Sequence, residues 1–164
     1  MLFRSGPTLS SLNRSPEGSS ISGRQNSRVS ESSMITQSEL QLISRARLED
    51  SDALLQAARY DGATYLCGYA LELALKAKIC STLGWPGFPS TKTEFENYRS
   101  FRTHNLDVLL SLSGVEQEIK TKFLTQWSAV TNWDPEVRYK PIGSAKASDA
   151  KLMVESTRTL LDAL

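Results

Sequence analysis

Proton transfer, if this chain performs any, falls to a single histidine, His104. An imidazole titrates near pH 6.5, so it can take up or release a proton at neutral pH. Arg99 precedes it by five residues, and a guanidinium can stabilise charge on an anion. A second polar set is Tyr65, Tyr69, Glu72 and Lys76. Their i, i+4, i+7, i+11 spacing makes one stripe on a helix. A third set is aromatic: Trp85, Phe88, Phe95, Tyr98 and Phe101. Such residues pin a long loop to a core or stack bases, and the first use is expected here. One histidine and no Cys-x-x-Cys exclude an ordinary zinc site, so no metal and no cofactor is expected. Cys67 and Cys80 are 13 apart on one helix, roughly 20 Å along its axis, and cannot pair with each other. They read as small buried residues. Gly-rich phosphate loops and paired catalytic carboxylates are missing from the sequence.

The elements that must position these residues begin after a long tail. Residues 1–33 of the 164 hold 11 Ser, 3 Gly and 2 Pro, with four Arg and two Glu. The tail therefore carries +2 and residues 34–164 carry −1, for the total of +1. Such a tail buries too little apolar surface to offset the entropy of ordering, so disorder is expected over 1–33. Met34 serves equally well as a natural start. Residues 34–164 suffice for one domain. Their near-neutral charge argues against a dedicated DNA-binding module but leaves room for a local RNA site. No apolar run approaches the roughly 20 residues that span a bilayer, and a cytoplasmic protein with no membrane partner is expected.

Helical periodicity predicts a first helix over Ser38–Arg59. Ser38 and Gln41 fit a capping box, and Leu40, Ile43, Leu48, Leu54, Leu55 and Ala58 share one side. Arg47 and Asp50 fall inside that apolar sector, one turn apart. Asp61 can cap a second helix over Ala63–Leu83, which is apolar nearly all round and therefore central. Gly84 and Pro86 end it. Thr103 can cap a third helix to Ser113, Gly114 interrupts, and Val115–Asn132 continues as helix. After Trp133–Glu136 a last helix follows Gly143 and Ser144. Nothing alternates with period two, so no sheet is expected. The fold class is all-α, an up-and-down four-helix bundle behind the tail.

The stretch Ala58–Ala77 (ARYDGATYLCGYALELALKA) resembles the first helical hairpin of HEPN-domain proteins. Thr103–Leu110 (THNLDVLL) resembles the family's His-x-Leu helix start, and Trp133–Tyr139 (WDPEVRY) the segment before its last helix. Together they span about residues 38–162 in the family's order. The resemblance implies a four-helix bundle that commonly forms homodimers. Many members belong to prokaryotic toxin–antitoxin or defence systems. Some are ribonucleases; others are non-catalytic partners of small nucleotidyltransferases. Catalytic members carry an Arg, four to six residues, then a His, and Arg99 and His104 fit that spacing. That motif usually lies near the last helix, where this chain has Arg138 and Tyr139 with no His after them.

Two functions follow as expectations. The first is a dimeric HEPN-like binding component paired with a nucleotidyltransferase. The second is a metal-independent endoribonuclease using Arg99 and His104. The stripe of Tyr65, Tyr69, Glu72 and Lys76 either edges the core or lines a groove near Arg47, Asp50 or Arg138 that meets RNA or a partner. If Glu72 is buried it needs a cation beside it, with Lys76 the first choice and Arg138 the second.

Overall fold

The computed structural model describes residues 34–164, so the tail expected over 1–33 lies outside the described residues. The described chain is mostly helical. Helix α1 spans Gln37–Gln56 and α2 spans Tyr60–Leu83. Three short helices follow: α3 (Leu106–Leu112), α4 (Glu116–Lys122) and α5 (Leu124–Val130). Helix α6, Ala147–Ala163, ends the fold.

Helices α1 and α2 form a hairpin joined by three residues. The turn is tight enough to force Ala58 to φ 55°, a left-handed conformation that disfavours a side chain. Ala58 therefore lies beyond α1 and is exposed, not on the apolar face expected for it. The buried residues of α1 are Leu40, Ser44, Leu48 and Ser51. Ser44 Oγ donates to the carbonyl of Ala70 at 2.7 Å and Ser51 Oγ to that of Ala63 at 2.9 Å. The residue numbers fall on one helix as they rise on the other, which sets the antiparallel register. Small side chains bring the backbones close, and the hydroxyls satisfy themselves on carbonyls.

Helix α2 is central, as its all-round apolarity predicts: twelve of its residues are buried. Gly84 ends it at φ 64°, a conformation that glycine adopts without strain. Gly68 on α2 has a different role. A Cβ there would lie 2.2 Å from Cδ1 of Trp133, so the missing side chain is the seat of the indole.

Several expectations are corrected. The cap of α1 is Thr36, not Ser38: Thr36 Oγ1 accepts from the Glu39 N–H at 3.2 Å, and Glu39 returns to the Thr36 N–H at 2.9 Å. Helix α2 begins at Tyr60, so Asp61 lies inside its first turn and does not cap it. Its carboxylate instead accepts from the N–H groups of Gly143 at 2.6 Å and Ala145 at 2.8 Å, tying the loop before α6 to α2. Those bonds hold the Asp61 carboxyl below its ordinary value of 3.8. Asn105, not Thr103, caps α3, its side chain accepting from the Val108 N–H at 3.0 Å. The helix expected over 115–132 breaks at Phe123, whose φ of −129° and ψ of 31° leave helical space. A small sheet also exists: Ile35–Thr36 (β1) pairs antiparallel with Gly87–Phe88 (β2). Two residues per strand are too few to show an alternating pattern.

Candidate functional site

The polar stripe of α2 meets a covering segment, residues 84–105, that returns across the second half of the helix. The aromatics of this segment pack on one another. Trp85 lies 4.8 Å from Tyr98 and 4.9 Å from Phe101 between ring centres, and Phe88 lies 6.1 Å from Phe95. This cluster shapes a segment that is otherwise short 3-10 turns, Glu94–Asn97 and Arg99–Phe101. Between it and α2 lies a groove of about 300 Å³, lined among others by Tyr69, Glu72, Lys76, Phe88, Arg102 and His104.

Glu72 is the floor of this groove and is 1 % exposed. One carboxylate oxygen, Oε1, takes two donors. Lys76 Nζ lies 2.5 Å away, one helical turn along α2, and His104 Nδ1 lies 3.0 Å away from the opposite wall. The other oxygen, Oε2, is buried with no hydrogen-bond partner among the described residues. A buried carboxylate is costly unless paired, and Lys76 answers that need; Arg138 does not. Lys76 also sits 5.3 Å above the centre of the Phe88 ring, a cation–π contact. His104 is held by a residue 32 positions away, whereas its place before a helix suggested only local bonding. Its ring remains 65 % exposed.

The other candidate residues fall in four places. Tyr65 stacks on Tyr69 at 6.5 Å and 11° and faces Trp133 at 6.4 Å. Burial, then the Glu72 charge, pushes the Tyr69 hydroxyl above its ordinary value of 10.0, while Arg47 pulls it back. Arg47 and Asp50 form an ion pair with each other on α1, their side chains 39 % and 49 % exposed, so they lie outside the buried face of Leu40, Ser44, Leu48 and Ser51 and not inside an apolar sector as expected. Arg138 lies over the Tyr139 ring at 4.6 Å, 3.4 Å from Glu136 and within bonding reach of Tyr65. Tyr65, at the start of the stripe, and Arg47, Asp50 and Arg138 thus do not line the groove. Arg99 is exposed on its 3-10 turn and does not line the groove either; Arg102, three residues on, does. No periodicity marks Arg102. The one signal for it is that it shares a short segment with His104.

Cys67 and Cys80 are buried thiols. Burial pushes Cys67 up to about 12 and raises Cys80 as well, which suits packing and not nucleophilic work. Among the described residues no group of three His, Cys, Asp or Glu could hold a metal ion. No described helix is long and apolar enough to cross a membrane.

Chemically, the groove sets Lys76 and Arg102 beside one buried carboxylate. It also presents one imidazole with a free edge. No family model matches the sequence, and no curated protein or solved structure matches it significantly.

Proposed function

We propose that this chain is a HEPN-like helical bundle that works as a binding component: a homodimer that pairs with a nucleotidyltransferase in a toxin–antitoxin or defence-type system. The family and its partner rest on the resemblance of Ala58–Ala77, Thr103–Leu110 and Trp133–Tyr139. The observation that carries a binding role is Glu72, buried and shared by Lys76 and His104 on the groove floor. A buried ion cluster adds little net stability over an apolar packing of the same volume, so its presence beside an open groove favours recognition. Arg99 does not line the groove, which favours binding over cleavage within one chain.

The test is to purify the chain together with a nucleotidyltransferase encoded beside it, and alone. Expected are a stable complex, a dimer in sedimentation, and no RNA cleavage in EDTA. A monomer that ignores the nucleotidyltransferase overturns the reading.

A second reading is the metal-independent endoribonuclease using Arg99 and His104. It is favoured by the exposed imidazole edge at the groove, with Nδ1 engaged by a carboxylate. There the ribose 2′ oxygen attacks phosphorus as its proton passes to His104. The bond to the 5′ oxygen breaks, and that oxygen leaves with a proton from water. Cleavage that persists in EDTA and is lost in His104→Ala supports this reading; equal cleavage by both proteins points to a contaminant.

A further inference from the structure

His104 and Glu72 meet in a way that fixes more than a contact. A carboxylate oxygen can only accept a hydrogen bond, so the ring nitrogen facing it carries the hydrogen. That nitrogen is Nδ1, 3.0 Å from Glu72 Oε1. The carboxylate itself has little room to turn. It is 1 % exposed, and the same oxygen is held by Lys76 from the next turn of α2. A rigid acceptor on a central helix therefore meets a ring carried by the covering segment. The opposite ring atom, Nε2, has no hydrogen-bond partner among the described residues, on a side chain that is 65 % exposed and lines the groove.

We infer that Glu72 is a positioning residue for His104: it holds the neutral imidazole in the Nδ1–H tautomer and turns the Nε2 lone pair toward the groove. Which nitrogen is protonated is set by the bond the other one makes, and here that bond comes from a buried side chain 32 residues earlier. The consequence for chemistry rests on the ribonuclease reading: Nε2 is the atom that receives the 2′-hydroxyl proton. The tautomer is measured without RNA. Absence of cleavage therefore overturns that reading and leaves the inference about Glu72 standing.

The chain has one histidine, so ring nitrogen NMR of the full-length ¹⁵N-labelled protein reports His104 alone. At pH 8 the wild type is expected to show a protonated Nδ1 and an unprotonated Nε2. A free neutral imidazole side chain prefers the reverse. In Glu72→Leu, which offers no acceptor, the expected result is a return to the Nε2–H form, with helical circular dichroism retained. In Lys76→Met, which keeps the carboxylate, Nδ1–H is expected to persist. A wild type in the Nε2–H form overturns the inference whether or not any variant folds. So does a folded Glu72→Leu that keeps Nδ1–H, or a Lys76→Met that loses it.

Discussion

The two halves of α2 handle buried polarity in opposite ways. In the first half, around Ala63–Ala70, the neighbours are hydroxyls: Ser44 and Ser51 donate to carbonyls of α2. These two hydroxyls, neutral and with one good bond each, cost little to bury, and the one group near Gly68 that lacks a partner among the described residues, Trp133 Nε1, is neutral too. The space between helices is removed by omission, with Gly68 leaving room for Trp133. In the second half a full carboxylate is buried, two donors crowd one of its oxygens, and the other oxygen has no partner. The first half is an economical way to pack two helices. The second is not, which is why the groove and not the hairpin is the place to look for function.

The largest test of this contrast is at the packed half. Gly68→Ala forces a methyl into the indole of Trp133, which is 6 % exposed and has nowhere to retreat without opening the core. The expected loss is about 3 kcal/mol, the upper end for overpacking, read as a lower urea midpoint. Combining it with Trp133→Ala, itself costly by roughly 3–5 kcal/mol, should cost less than the sum, because the second change removes the clash. Additive losses would mean that the glycine serves some other purpose than seating Trp133.

The charged half should yield differently. Glu72→Ala leaves Lys76, 15 % exposed, without its partner. A broken buried pair typically costs 3–5 kcal/mol. Here the ammonium can reach water, so about 2 kcal/mol is expected. Replacing both, Glu72→Met with Lys76→Met, should bring stability back to within about 1 kcal/mol of the wild type while abolishing what the groove does. A double variant as unstable as Glu72→Ala would show that the pair holds the fold, and the contrast between the halves would collapse.

The sequence revealed these halves unequally. Helix α2 was legible because apolar residues fill every face and Gly84 stops it. The stripe of Glu72 and Lys76 was legible because four residues on one helix obey one period. The face of α1 was half legible: Leu40, Ser44, Leu48 and Ser51 keep a helical spacing, but two of the four are polar, so a reading by hydrophobicity passes over the serines. The first partner of Glu72, Lys76, was legible one turn along the helix, but the second, His104, was not legible at all. His104 reaches it through an aromatic-pinned segment with no period, and a contact across 32 residues has no local signature. Asp61 shows the same limit. It has the composition of a helix cap, yet its partners lie more than eighty residues away.

That long-range bond gives a prediction on a pH axis. Asp61 titrates below its ordinary 3.8 because the N–H groups of Gly143 and Ala145 favour its charged form. A carboxyl whose folded value is depressed contributes stability that is fully present above the unfolded value. The contribution fades as pH falls below about 3.8 and through the folded value. The melting temperature of the wild type should therefore fall more steeply between pH 4 and pH 2, a window set by the ordinary aspartate value of about 3.9, than that of Asp61→Ala. At pH 7 the variant should already have lost the bond. Parallel curves would mean that the loop before α6 does not depend on Asp61.

The smallest effect separates two readings of one helix start. Thr36 and Ser38 are both hydroxyl residues near the N-terminus of α1, and by pattern alone Ser38 with Gln41 makes an acceptable capping box. The structure places the box on Thr36 and Glu39, with Glu39 held below its ordinary value chiefly by its bond to the Thr36 side chain. Thr36 also lies in β1, opposite Gly87, so the cap and the sheet fix the same residue at the edge of the groove segment. Thr36→Ala is expected to cost about 1 kcal/mol, the usual worth of a cap. Ser38→Ala, inside the first turn, should stay within about 0.5 kcal/mol of the wild type. Thermal melts of the two variants decide between them. Equal losses would return the start of α1 to Ser38 and detach the cap from the strand that borders the groove.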